Sequence, residues 1–179
     1  MKTDEFEPAE SEATPREAAT DASDVIEMVP LTLHLKSILV PIDFSDTSLK
    51  ALQYAVPFAK QFGATITLLH VVPPPPYVAE GPYIPLGTED TLRAAEQHLD
   101  KIAESTIRPG FTLRALTRGG FVHDTIIGVA RESEVDLIIL TTHGYTGLKH
   151  LLMGSTAENI VRHAPCPVLV VREKEHEFA

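Results

Sequence analysis

Two short runs, SILVPID (37–43) and ATITLLHVV (64–72), limit most sharply what this chain can fold into. From Ile38 to Ile42 apolar side chains follow one another without alternation, and the second run reads as another buried strand. A strand wetted on one face alternates apolar and polar residues. A short, β-branched, continuous run is instead buried on both faces, as in a parallel sheet covered by helices. The residues between the two runs change period. Leu49, Leu52, Ala55, Ala59 and Phe62 recur at helical spacing, Ser45 or Asp46 can cap the start, and Gly63 supplies a stop. Pro57 inside that helix removes one backbone bond and is expected to bend it.

The same strand–helix unit then repeats. Four prolines, 73–76, open a long loop to Gly87, and Thr88 begins a helix with Leu92, Ala95, Leu99 and Ile102 on its inner face. Phe111–Thr117 reads as a third strand, Gly119-Gly120 as a turn and Val122–Glu132 as a helix. Asp136–Thr142, Ser155–His163 and Pro167–Val171 complete the series as strand, helix and strand. Strands alternating with helices predict an α/β fold: an open five-stranded parallel sheet flanked by helices, with right-handed crossovers. A length of 179 residues suits one domain, and an apolar fraction of 44% is enough for its core.

The net charge of −10 is unevenly placed. Residues 1–30 carry nine acids against Lys2 and Arg16, so the tail alone accounts for seven of the ten charges. With Phe6 its only large apolar residue before Val25, this segment cannot offset its ordering entropy and is expected to be a disordered acidic tail preceding a domain over 31–175. A chain starting near Leu31 is expected to melt within a few degrees of the full chain. Insolubility, or a large fall in Tm, would make the tail part of the core. The nearly balanced remainder shows no basic stripe, which argues against nucleic acid. No run reaches the roughly 20 apolar residues of a membrane span. One cysteine, Cys166, permits neither an internal disulfide nor a cysteine metal cage. With no apolar signal core at the start, the expected location is the cytoplasm.

Two strand ends carry unusual residues. Asp43 stands at the tip of the first strand, and Thr141-Thr142-His143-Gly144 follows the fourth. In open parallel sheets ligands sit beyond the carboxyl ends of the strands. Ser155 and Glu158 form an S-x-x-E pattern that predicts a capping box at a helix start. Gly144 and Gly154 would then wall a pocket for an anion, with free helix N–H groups beside it and Leu151, Leu152 and Met153 pinning the intervening loop. Spacing alone leaves a phosphate site and an ordinary glycine-ended loop both open, and neither G-x-G-x-x-G nor Walker A is present. His70, His123, His143, His150 and His163 offer no H-x-x-x-H pair, so no protein-held metal is expected.

The stretch from Ile138 to Arg172, with Thr-His-Gly-Tyr-Thr-Gly-Leu-Lys-His-Leu-Leu-Met-Gly-Ser at its centre and Ala-Pro-Cys-Pro-Val-Leu-Val-Val at its end, resembles the universal stress protein family, single-domain A type. The resemblance extends over about residues 36–173. It implies a Rossmann-like fold of the adenine nucleotide alpha hydrolase kind. The ATP-binding branch of that family has glycine, two residues, glycine, nine residues, glycine, then Ser or Thr. Gly144, Gly154 and Ser155 match the later positions, and Thr141 occupies the place of the first glycine, beside the ribose or α-phosphate. By the same resemblance Asp43 holds the adenine–ribose end, Pro41 and Ile42 are its apolar neighbours, Val71 is the adenine wall and Leu140 precedes the motif. His143 and Thr156 lie beside the phosphates.

The implied function is an ATP-binding stress-response regulator, with AMP or another adenine nucleotide as alternative ligand. Mg²⁺ would be carried by the nucleotide, because that ion keeps its waters and uses substrate oxygens. The resemblance also implies a homodimer through strand 167–171 and an unknown regulatory protein partner. Fast catalysis is not expected: apart from Lys149 no cation lies in the phosphate loops, and Asp43 is the only evident carboxylate. Two alternatives are a slow ATPase or adenylyl-transfer enzyme on the same pocket, and a nucleotide-free dimerisation module.

Overall fold

The computed structural model describes residues 34–74, 89–106, 109–142 and 154–172. All of them fall in the unit Leu33–Ala179. The acidic segment 1–30, most of the proline-rich loop, and residues 143–153 lie outside the described residues, and so does the tail's expected disorder.

Five strands and four helices alternate along the chain: β1 (Ser37–Pro41), α1 (Asp46–Phe62), β2 (Thr65–Val72), α2 (Glu89–Thr106), β3 (Thr112–Gly119), α3 (Val122–Glu132), β4 (Leu137–Thr141), α4 (Ser155–His163) and β5 (Val168–Val171). The strands form one sheet in the order β3-β2-β1-β4-β5, and every pair is parallel. The continuous apolar runs are buried on both faces, as expected. Ile38, Val40, Ile66, Leu68 and Ile139 pack with Ala51, Leu52 and Ala55 of α1 and Leu99 of α2. Leu39, Leu69, Val71, Ile138 and Leu140 pack on the other face with Ile126 of α3 and Ile160 of α4.

Local chemistry sets the helix ends. Ser45 caps α1, its hydroxyl accepting the Ser48 N–H at 3.1 Å. Gly63 closes it in the left-handed region (φ 66°), where a side chain would be strained, and donates its N–H to the Ala59 carbonyl. At the amino edge of the sheet, Asp136 accepts the N–H groups of Lys36 and Ser37 at 2.7 and 2.9 Å, which ties the start of β1 to that of β4.

Three expectations need correction. Phe62 is not on the inner face of α1: it is 39% exposed, while Ser48, Ala51 and Tyr54 are buried there. β3 runs on through Arg118 and Gly119, because Gly119 pairs in register with Val72. Only Gly120 (φ 149°) makes the turn. β1 ends at Pro41, two residues earlier than the apolar run suggests.

Strand order reverses between β1 and β4. The connections from β1 lead toward β2 and β3, and those from β4 lead away toward β5, so a crevice opens at the carboxyl ends of β1 and β4.

Candidate functional site

The β1–α1 turn forms one side of the crevice. Ile42 donates its N–H to the Leu69 carbonyl at 2.8 Å and is buried against the α1 side of the sheet. Asp43 then folds back on itself: its Oδ1 accepts the Ser45 N–H at 3.0 Å and the Ser45 hydroxyl at 2.5 Å. The Asp43 N–H donates to Ser48 Oγ at 3.3 Å, and Ser48 Oγ donates to the Ser45 carbonyl at 2.9 Å. The carboxylate expected to meet a ribose is therefore also the residue that builds the turn. Phe44 completes the reversal at φ 67°. For an L-residue other than glycine that conformation costs about 1 kcal/mol or more.

The Phe44 ring offsets this by packing. It stacks on His70 of β2, centroids 4.0 Å apart, and on His98 of α2, 4.2 Å apart. His70 Nδ1 lies 2.7 Å from the Ile42 carbonyl. A carbonyl only accepts, so Nδ1 carries the proton and Nε2 is the titrating nitrogen. Burial pushes the His70 pKa below its ordinary 6.5, against the smaller upward pull of that bond and of Asp43. Between the folded and unfolded values the unfolded chain binds more protons. The contribution of His70 to stability is thus fully present above 6.5 and is lost as pH falls toward the folded value. This stack was not expected from sequence; its one signal is a lone histidine at the apolar end of the second strand, between Leu69 and Val71.

The other side of the crevice is the β4–α4 junction. Thr142 is buried, donates its N–H to the Val171 carbonyl at 3.0 Å and accepts the Gly154 N–H at 2.8 Å. A Cβ on Gly154 would stand 3.1 Å from that same Thr142 oxygen, tighter than ordinary contact. The approach of α4 to the strand end therefore favours glycine for space, its backbone (φ −71°, ψ 152°) being open to any residue.

The expected capping box is absent. Gly154 is the N-cap and carries no side-chain cap bond, Ser155 is the first helical residue, and Glu158 pairs instead with Arg162 at 2.8 Å. The reason is position: with the cap one residue earlier, Glu158 falls one residue beyond the place from which it could reach back. The cap thus offers no side-chain acceptor to the first-turn amides, at the positive end of the helix dipole. Ser155 and Thr156 are exposed there.

Of the other candidate residues, Pro41 and Thr141 end β1 and β4 and are half-buried. Val71 (7% exposed) and Leu140 (4%) belong to the core on the α3–α4 face, whereas Ile42 belongs to the opposite face. The three share the carboxyl edge of the sheet without forming one wall. His143 and Gly144 lie outside the described residues, as do Leu151, Leu152 and Met153. Among the described residues no group of three His, Cys, Asp or Glu is placed to hold a metal ion. Cys166 is half-buried, and burial pushes its thiol pKa up, away from a reactive thiolate. No helix among the described residues is long and apolar enough to cross a membrane.

Comparison with known proteins follows the same boundaries. The universal stress protein family matches residues 34–172. A universal stress protein of Methanocaldococcus jannaschii is 34% identical over 145 residues, which cover 79% of this chain and 85% of that protein. Universal stress protein UspA from Lactobacillus plantarum superimposes with a TM-score of 0.67 at 28% identity, over 78% of this chain and 99% of that one. A universal stress protein solved in complex with cAMP shares the fold, with a TM-score of 0.57 at 20% identity over 79% of this chain and all of that one. The sheet order, the two cores and the uncapped helix at the end of β4 thus sit in a chain that belongs to the universal stress protein family.

Proposed function

We propose that this protein is a cytoplasmic stress-response regulator that binds an adenine nucleotide, ATP with Mg²⁺ foremost, and that it works as a homodimer without fast chemistry. The observation that carries the reading is the β4–α4 junction: a helix start without a side-chain cap, held by the Gly154–Thr142 bond at the point where strand order reverses. Backbone N–H groups and a positive helix end suit phosphate oxygens. The cAMP complex of a protein with this fold supports an adenine nucleotide as the ligand class.

In this reading Thr141, His143, Gly144, Gly154, Ser155 and Thr156 surround the phosphates. Asp43 takes the ribose, and Pro41, Ile42, Val71 and Leu140 supply the apolar surround of the base. The Mg²⁺ stays with the phosphates, where it neutralises their charge. Asp43 already accepts two bonds from Ser45, which fits a positioning role better than that of a general base. Mass spectrometry of the denatured, freshly purified protein tests the reading. An adenine nucleotide at a substantial fraction of the protein concentration is expected. Nucleotide-free protein that also ignores added ATP would favour the bare dimerisation module, to which the Thr141 side chain points.

The dimer is assigned to β5. This four-residue apolar strand is an edge strand of the sheet, a hazard unless it is covered. Val170→Lys, which places a charge on that edge, is expected to turn the dimer into a monomer in light scattering while circular dichroism stays native. A variant that remains dimeric at the same concentration would move the interface elsewhere.

A further inference from the structure

Resting on the nucleotide reading above, we infer that His70 is a positioning residue for Asp43: in its neutral form it holds the β1–α1 turn in the conformation that sets the carboxylate at the crevice, so adenine-nucleoside affinity depends on the protonation of a residue on β2. The geometry has three linked parts. Ile42 is tied to β2 twice, through its N–H to Leu69 and through its carbonyl to His70 Nδ1. Phe44, one residue past Asp43, sits in a left-handed conformation that an L-residue leaves unless something holds it. Its ring is held between the imidazoles of His70 and His98. Asp43 lies between the two anchored residues, and its carboxylate bonds to Ser45 are possible only while that reversal is kept.

Among the described residues, the titratable groups acting on the imidazole are Asp43 from the β1–α1 turn, which favours the charged form, and His98 from α2, which disfavours it. Burial outweighs Asp43. A proton on Nε2 leaves Nδ1–H on the Ile42 carbonyl, and the Phe44 face tolerates a cation. Burial is nonetheless the largest influence and opposes the charge, which gains water by swinging the ring outward. That motion gives up the Ile42 bond and the stack together and frees the turn. Affinity for the nucleoside is therefore expected to hold near pH 6.5 and to fall only as the pH drops through the folded His70 value, which lies below it.

The test uses the full chain and adenosine, which carries no phosphate to titrate. Calorimetric titrations across this pH range compare wild type with His70→Asn and His70→Ala. Asn places an amide N–H close to where Nδ1 stands and does not titrate. His70→Asn is expected to bind as wild type does above pH 6.5 and to keep that affinity in acid. His70→Ala is expected to lose about fivefold, the value of one hydrogen bond. Proton NMR of the wild-type His70 ring gives a readout that survives a variant's failure to fold. Because linkage is reciprocal, saturating adenosine must lower the His70 pKa. A His70 titration that adenosine leaves unmoved overturns the inference, and so does His70→Ala binding with wild-type affinity and pH profile. Wild type that binds neither adenosine nor ATP overturns the nucleotide reading itself.

Discussion

Replacing Gly154 with valine is expected to weaken ATP–Mg²⁺ binding about 100-fold, equivalent to ~2.7 kcal/mol. The first added carbon already meets the Thr142 carbonyl oxygen at 3.1 Å, so α4 must draw back from the end of β4. The branched side chain then stands beside the first-turn amides of Ser155 and Thr156. Hydrogen bonds to a charged group are worth about 1.5–3 kcal/mol each, so losing one or two accounts for the effect. Adenosine has no phosphates to reach this helix and should lose less than about threefold, within the ~0.6 kcal/mol of a peripheral change. Valine accepts the backbone angles of Gly154, so the cost to stability should stay at about 1–2 kcal/mol, the range for modest overpacking. Equal losses for ATP and adenosine would place Gly154 in the fold and not in the site.

Asp43→Ala is expected to weaken ATP and adenosine alike, by about 30-fold, the range for losing one charged hydrogen bond. Two effects combine in that number. The ribose loses its partner, and the turn loses the acceptor of the Ser45 N–H and hydroxyl. Asp43→Asn separates them, because its side-chain oxygen can still accept from Ser45 while the charge is gone. Affinity in Asp43→Asn should lie between wild type and Asp43→Ala, with a Tm close to wild type. If Asp43→Asn binds as wild type does, the role of Asp43 is the turn alone. A companion variant, Thr141→Gly, restores the family's first motif glycine at the end of β4 and should leave ATP affinity unchanged or raise it.

Much of this architecture was legible because burial on both faces writes itself into sequence. The continuous run over Ile38–Ile42 and the largely apolar run over Ile66–Val72 could be neither surface strands nor membrane spans, and the helical period between them left one fold class. Gly63 was legible as a helix stop because the left-handed geometry there favours glycine. Two misreadings share a cause with one feature that was missed: each depends on a partner distant in sequence. Gly119 reads as a turn residue until Val72 beside it draws it into β3. Ser155 and Glu158 read as a capping box, but the N-cap is Gly154, bonded to Thr142, and Ser155 is already the first helical residue. The stack of Phe44 between His70 and His98 joins three elements that no local pattern connects. The candidate residues divide similarly. Asp43, Gly154 and Ser155 were recognisable from strand ends and a motif. That Val71 and Leu140 lie in one core and Ile42 in the other depends on the face each strand position takes.

The crevice between the tips of β1 and β4 is expected to hold an adenine nucleotide. Calorimetric titration of the full chain with ATP–Mg²⁺ tests it most directly, with thermal melts on the same samples. A saturable heat with one nucleotide per chain is predicted, together with a Tm that climbs as ATP is added, because a ligand that binds only the folded state stabilises it by mass action. No heat and an unmoved Tm at millimolar ATP would leave the crevice without a nucleotide.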